Sequence, residues 1–163
     1  ANNYEQCINQ EPMLIQHLEK EIHNEMSKQA DKCVGDLEES LGKNRDIEID
    51  YKDFGVELLP KKVVLDFNLD LLSEQKETTI FREDLEIVYP TRFYGLAIVV
   101  QEIVSQEARF CHFETQGFHL LYPEFKIKRV KTSQLDKIYR VTNTVTDEDF
   151  KFAVKSCSIP PGI

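Results

Sequence analysis

A chain of 163 residues with 41% hydrophobic and 30% charged residues has the length and composition of one soluble globular domain, large enough to bury a core without metal or disulfide support. No run approaches the ~18 consecutive apolar residues that a membrane span requires. The 29 acids against 20 bases, net −9, argue against nonspecific binding to nucleic acid or anionic lipid, because both reward clustered Lys and Arg.

Residues 1–11 read as a polar N-terminal linker. The opening Ala1-Asn2-Asn3 is not the apolar stretch of a signal peptide, so a targeting or anchor segment is expected to have been removed or to lie outside this stretch of sequence. Pro12 suits a first helical turn. Ile15, Leu18, Ile22, Met26, Cys33, Leu37 and Leu41 then recur at helical spacing, and Gly42 is placed to end the run. A helix over 12–41 would be about 45 Å long, against a radius of gyration of roughly 15 Å for a globule of this size. The helix is therefore expected to break, at Gly35 or in the polar stretch Ser27–Lys32, or else to project.

Strands follow at 46–51 and 55–59, and then at 62–72, where Val63, Leu65, Phe67, Leu69 and Leu71 alternate with polar partners. A turn at 73–76 returns the chain antiparallel over 78–89, and Pro90 stops that strand. Thr91 caps a second predicted helix, 91–108, whose Phe93, Leu96, Ala97, Val100, Ile103 and Val104 form one apolar stripe. Residues 110–123 read as an irregular, aromatic-rich linker. Three further strands are predicted at 124–130, 136–142 and 149–155, before a tail over 158–163.

This order predicts an α+β fold. It has two layers, with helices packed on one face of a mainly antiparallel sheet, in a single domain over 12–157. The expected core contains Ile15, Leu18, Ile22, Leu65, Phe67, Leu69, Ile87, Leu96, Val100, Ile103, Ile127 and Phe152.

Cys7, Cys33, Cys111 and Cys157 are even in number and lack metal-ligand spacing, which favours disulfides over zinc, with buried reduced thiols as the plainer reading. Bridges would place the domain outside the cytoplasm. Of the three connectivities, Cys7–Cys33 is the poorest, since a continuous helix holds its ends far apart. Cys33–Cys111 with Cys7–Cys157 is favoured, because Cys33 is expected on an apolar helix face and the second bridge would join the chain ends.

Taken together, the helix bearing Cys33, the strand Val63–Leu71, the strand closing at Tyr89-Pro90, the helix Phe93–Val104 and the terminal Tyr139…Phe150-Lys151-Phe152-Ala153 resemble a group of uncharacterised archaeal proteins of the DPANN lineages. Those have an N-terminal membrane anchor and one extracytoplasmic domain. The resemblance spans roughly residues 5–155 and implies an envelope-anchored domain facing outward. It brings no catalytic residues with it. The chain departs from the group at Cys111, the single cysteine of the 110–123 linker, so no pairing is inherited.

The search for chemistry yields no catalytic, cofactor or metal set. His17 and Glu21 share a helix face, but HExxH is absent and no further ligand is specified. The basic run Lys126, Lys128, Arg129 and Lys131 suits an anion but lacks aromatic interleaving and Gly-rich loops. Cys111 with His112 and His119 is the one thiol–base grouping in the sequence. The leading reading is a noncatalytic extracytoplasmic domain that binds another protein or a surface polymer. The alternative is a hydrolase or thiol enzyme centred on the 110–123 linker. No nucleic-acid partner is expected, and any membrane attachment would run through a segment beyond this sequence.

Overall fold

The computed structural model describes residues 8–43, 47–73, 79–133 and 136–155, with the backbone alone for 72–73 and 79–84. The fold is α+β, as expected, but the strands form two antiparallel sheets of three strands each rather than one sheet. The chain divides into two compact units, Ile15–Pro90 and a second made of Ala1–Leu14 with Thr91–Ile163.

The first unit holds α1 (Leu14–Gly42) and the strands β1 (Ile47–Leu59), β2 (Lys62–Ser73) and β3 (Thr79–Pro90), paired in the order β1-β2-β3. The expected break in α1 is absent. Helix runs unbroken through Gly35, whose missing side chain faces open space, and it ends at Gly42. At 1.5 Å per residue it extends about 43 Å.

The segments predicted at 46–51 and 55–59 form the single strand β1. A β-bulge at Lys52 shifts the register between Tyr51 and Asp53, so that Ile49, Tyr51, Phe54, Val56 and Leu58 all share one face. That face packs on α1 through Ala30, Val34, Ile49, Phe54, Leu65, Phe67 and Leu69, with Phe54 stacked on Phe67 at 5.4 Å.

One flank of α1 also serves the open edge of β1. The Glu19 carboxylate accepts from the Leu58 N–H at 2.9 Å, and His23 stacks on Phe54 and bonds Asp53 at 2.9 Å. Covering an edge in this way removes a row of unpaired backbone groups. It also leaves the β3 column of the same face open: Leu85, Ile87 and Tyr89 stand opposite Phe67, Leu65 and Val63 in the register, yet all three are exposed. Ile87, expected in the core, is 44% exposed for this reason. The predicted turn at 73–76 falls largely outside the described residues.

The second unit holds α2 (Phe93–Phe110), α3 (Thr115–Leu121), β4 (Phe125–Lys131), β5 (Lys137–Asn143) and β6 (Asp149–Val154), paired in the order β4-β5-β6. The short helix α3 lies inside the stretch expected to be irregular. Its N-terminus is capped by Glu114, whose carboxylate accepts from the Gln116 N–H at 2.9 Å.

Leu96, Val99, Val100 and Ile103 form the buried stripe of α2, which packs against β5 and β6. Gly95 permits a close approach at its start, since a Cβ there would stand 3.3 Å from the Phe125 ring. Leu96, Val100 and Ile103 are buried as expected, while Ile127 and Phe152 are half-buried, as are Ile15, Leu18 and Ile22 of α1.

Candidate functional site

The α2 stripe continues one turn beyond Ile103 to Glu107, a carboxylate only 2% exposed. Burying that charge requires partners, and β5 supplies them. Lys137 and Tyr139 point to the covered face of the sheet, together with Val141 and Asn143. The Tyr139 hydroxyl donates to one Glu107 oxygen and the Lys137 ammonium to the other. Lys137 also donates to the Cys111 carbonyl at 2.6 Å, where α2 ends in a left-handed residue. Arg129, across the ladder from Tyr139, donates to the Phe113 carbonyl at 3.3 Å and also bonds the tyrosine.

Burial, and after it the bond to Glu107, pushes the Tyr139 phenol up to about 12. It therefore keeps its proton at neutral pH and serves as a fixed donor. Its ring stacks on Phe152 at 5.5 Å and meets Phe113 edge-on at 6.4 Å. The chemistry available to this cluster is cohesion, because each oxygen of the carboxylate already holds a hydrogen from α2's neighbour strand. The sequence carries a signal for this cluster. An acid at the helical position after Leu96, Val100 and Ile103 calls for a buried cation, and Lys137 alternates in phase with Tyr139 and Val141.

The residues of the thiol–base grouping are each engaged with different neighbours. Cys111 is the left-handed C-cap of α2 (φ 53°), His112 lies 3.5 Å from the Glu114 carboxylate, and the His119 Nδ1 lies 2.9 Å from the Phe125 carbonyl oxygen. Hydrogen bonds from the Gln116 N–H and then from His112 hold the Glu114 carboxyl below its ordinary range. His17 and Glu21 are both exposed on α1. No cluster of three potential metal ligands occurs among the described residues, and none of the helices searched is long and apolar enough to cross a membrane.

Cys33 is a free, exposed thiol, so the expected Cys33–Cys111 bridge is not formed. The reason is rotational: the buried positions of α1 nearby are Ala30 and Val34, and Cys33 falls outside that stripe. Cys7 and Cys157 lie outside the described residues.

Among the described residues, no element covers the other face of the β4-β5-β6 sheet. Pairing sets Lys128 opposite Arg140 and Arg140 opposite Lys151, so three exposed cations form one row across the strands. Beside it run Val130, Ile138 and Ala153, with Val130 62% exposed. On the other side stand Lys126, Thr142 and Asp149, and Asp149 pairs with Arg140 at 3.2 Å. Of the expected basic run, Lys126 and Lys128 belong to this face. Arg129 and Lys131 belong to the opposite one by strand alternation. Arg140 and Lys151 join the face from other strands, and only the pairing register reveals that.

Comparison with known proteins finds no family model, no curated protein and no solved structure that matches this chain.

Proposed function

We propose that the chain is a noncatalytic extracytoplasmic domain of an envelope-anchored protein, and that it binds another protein or a surface polymer through the uncovered face of β4, β5 and β6. The observation that carries this reading is the row of exposed cations Lys128–Arg140–Lys151 beside the apolar row Val130–Ile138–Ala153, a surface with both charge and apolar area. Such a surface supplies steering and register together. The buried ionisable groups, by contrast, are engaged in holding α2 to β5.

The reading also includes a single disulfide from Cys111 to Cys7 or Cys157, a bridge that would belong to an oxidising compartment.

Two measurements test the reading. Protease added to intact cells should digest the domain of the full-length protein, and purified domain should sediment with envelope fractions through this face, the triple variant Lys128→Gln/Arg140→Gln/Lys151→Gln losing most of that retention. Protection of the domain on intact cells, or retention unaffected by the triple variant, would overturn it. Nonreducing peptide mapping should recover Cys33 as a free thiol and Cys111 in a bridge.

A further inference from the structure

The same ladder logic applied to the other sheet gives a surface of opposite sign. Opposite the α1-covered face, the register sets Asp66 directly beside Glu86, with Gly55 completing that row on β1; the next row sets Asn68 between Asp53 and Asp84, and the one after it sets Asp50 beside Asp70. Asp50, Glu57, Asp66 and Glu86 are exposed. Basic residues also border this face: Lys52, in the bulge, lies 3.8 Å from Asp70, Arg82 stands opposite Asp70 in the register, and Lys62 lies on the same face of β2 two rows from Asp66. The Asp66–Glu86 row has no cation among its register partners.

Like charges directly across a ladder destabilise a sheet, so both the Asp66–Glu86 row and the Lys128–Arg140–Lys151 row place repulsion on the isolated molecule. Each would be relieved by the other. The charge count follows the same division: Ile15–Pro90 carries 19 acids and 10 bases, and the remainder of the chain 10 of each.

We infer that the chain docks on a second copy of itself, the acidic face of β1-β2-β3 in one molecule meeting the basic face of β4-β5-β6 in the next. The inference deepens the binding role proposed above for the β4-β5-β6 face and rests on it. Two features beyond sign favour this occupant. Both faces are antiparallel sheets, so their charges sit on the same lattice of about 4.8 Å between strands, and two stacked sheets stand about 10 Å apart, a gap that Lys and Arg side chains can cross to reach carboxylates. The apolar row Val130–Ile138–Ala153 and the exposed Val88 beside the Asp66–Glu86 row add area that water would leave. The two faces differ, so the contact is heterologous: each docked molecule still presents one free face of each sign, and the assembly extends head to tail.

Sedimentation velocity of the purified chain tests this. Species larger than a monomer are expected at about 20 mM salt, with dissociation at about 0.5 M as screening shortens the reach of the charges. Asp66→Asn/Glu86→Gln should be monomeric alone, and so should Lys128→Gln/Arg140→Gln/Lys151→Gln. An equimolar mixture of the two should form a 1:1 dimer and nothing larger, because each contributes the one face the other lacks. Folding of each variant is checked by circular dichroism. If one fails to fold, the single exterior reversals Glu86→Lys and Lys151→Glu replace it, and each should weaken association at least about tenfold.

A wild-type chain that stays monomeric at low salt, a neutralised variant that still assembles alone, or a mixture that stays monomeric would each overturn self-docking. The envelope-retention measurement is separate: retention without self-association would leave the binding role standing with a different occupant.

Discussion

Glu148, in the turn between β5 and β6, accepts hydrogen bonds from the Thr91 hydroxyl and, at 2.7 Å, from the Arg92 N–H at the start of α2, 56 residues earlier in the chain. Thr91 in turn accepts from the Phe93 N–H at 3.1 Å. The N-cap position is therefore Arg92 rather than the expected Thr91, which bonds the Phe93 N–H from one residue further out, and the charge at this helix start arrives from another element. An anion at a helix N-terminus meets both unpaired N–H groups and the positive end of the helix dipole.

Burial alone would raise the Glu148 carboxyl, but the bonds from Thr91, Thr146 and Arg92 outweigh it and leave it below its ordinary value. Its contribution to stability is therefore fully present above the unfolded-state value near 4.5 and is lost as pH falls through the lower folded-state value. Glu148→Gln should cost about 1 kcal/mol at neutral pH, a figure kept small because the side chain is partly solvated. Urea denaturation from pH 7 down to pH 3 should show the gap between variant and wild type closing at the acid end.

The Glu107 cluster predicts a sharp contrast between breaking and replacing. Glu107→Ala leaves Lys137 buried without its counter-ion and should cost about 3–5 kcal/mol. The triple exchange Glu107→Leu/Lys137→Met/Tyr139→Phe removes the polar set together and should recover most of that loss. Denaturant midpoints compare the two. In ultraviolet titration, one of the six tyrosines should ionise late, near 12, and Tyr139→Phe should abolish that transition.

Pro60 and Lys61 form the two-residue turn between β1 and β2, and Lys61 holds a positive φ of 71°. Pro suits the first corner, but the second favours Gly or Asn, since a Cβ in left-handed backbone costs about 1–2 kcal/mol. Allowing for glycine's extra freedom when unfolded, Lys61→Gly should stabilise the chain by about 0.5 kcal/mol. The thermal midpoint should rise; a fall would mean that the lysine side chain contributes more than the turn geometry suggests.

Gly95 separates helix propensity from packing. Alanine gains about 1 kcal/mol of helix preference, but its Cβ would press the Phe125 ring at 3.3 Å, so Gly95→Ala should lie near neutral. Gly95→Leu adds volume where the ring already sits and should cost about 1–3 kcal/mol. Gly95→Ala/Phe125→Leu should regain what contact remains in the alanine variant, as a double-mutant cycle would show.

Local pattern made the strands and the second helix legible: the alternation of Val63 to Leu71 and the stripe Leu96–Ile103 are properties of neighbours in the chain. What escaped depends on distant residues. The Lys52 bulge keeps two apolar runs on one face and so joins two predicted strands into one. Cys33 looked apolar-facing at coarse helical spacing, but the buried stripe runs through Ala30 and Val34. Ile87 has the right phase for the core, yet no covering layer, because α1 lies along β1. The basic face needed the pairing of Lys128, Arg140 and Lys151, which no single segment contains.

Both sheets pair only strands that follow one another in sequence, β1 with β2, β2 with β3, β4 with β5 and β5 with β6. Each ladder can therefore close from its own connection outward, without first bringing together residues far apart in the chain. Loop-closure entropy is the cost that slows non-local β topologies, and here most of it is avoided. Two-state folding in the millisecond range or faster is the kinetic consequence, with the slower step falling to the few long-range ties, Thr91 to Glu148 and Glu107 to Tyr139, that join helix α2 to a hairpin already formed.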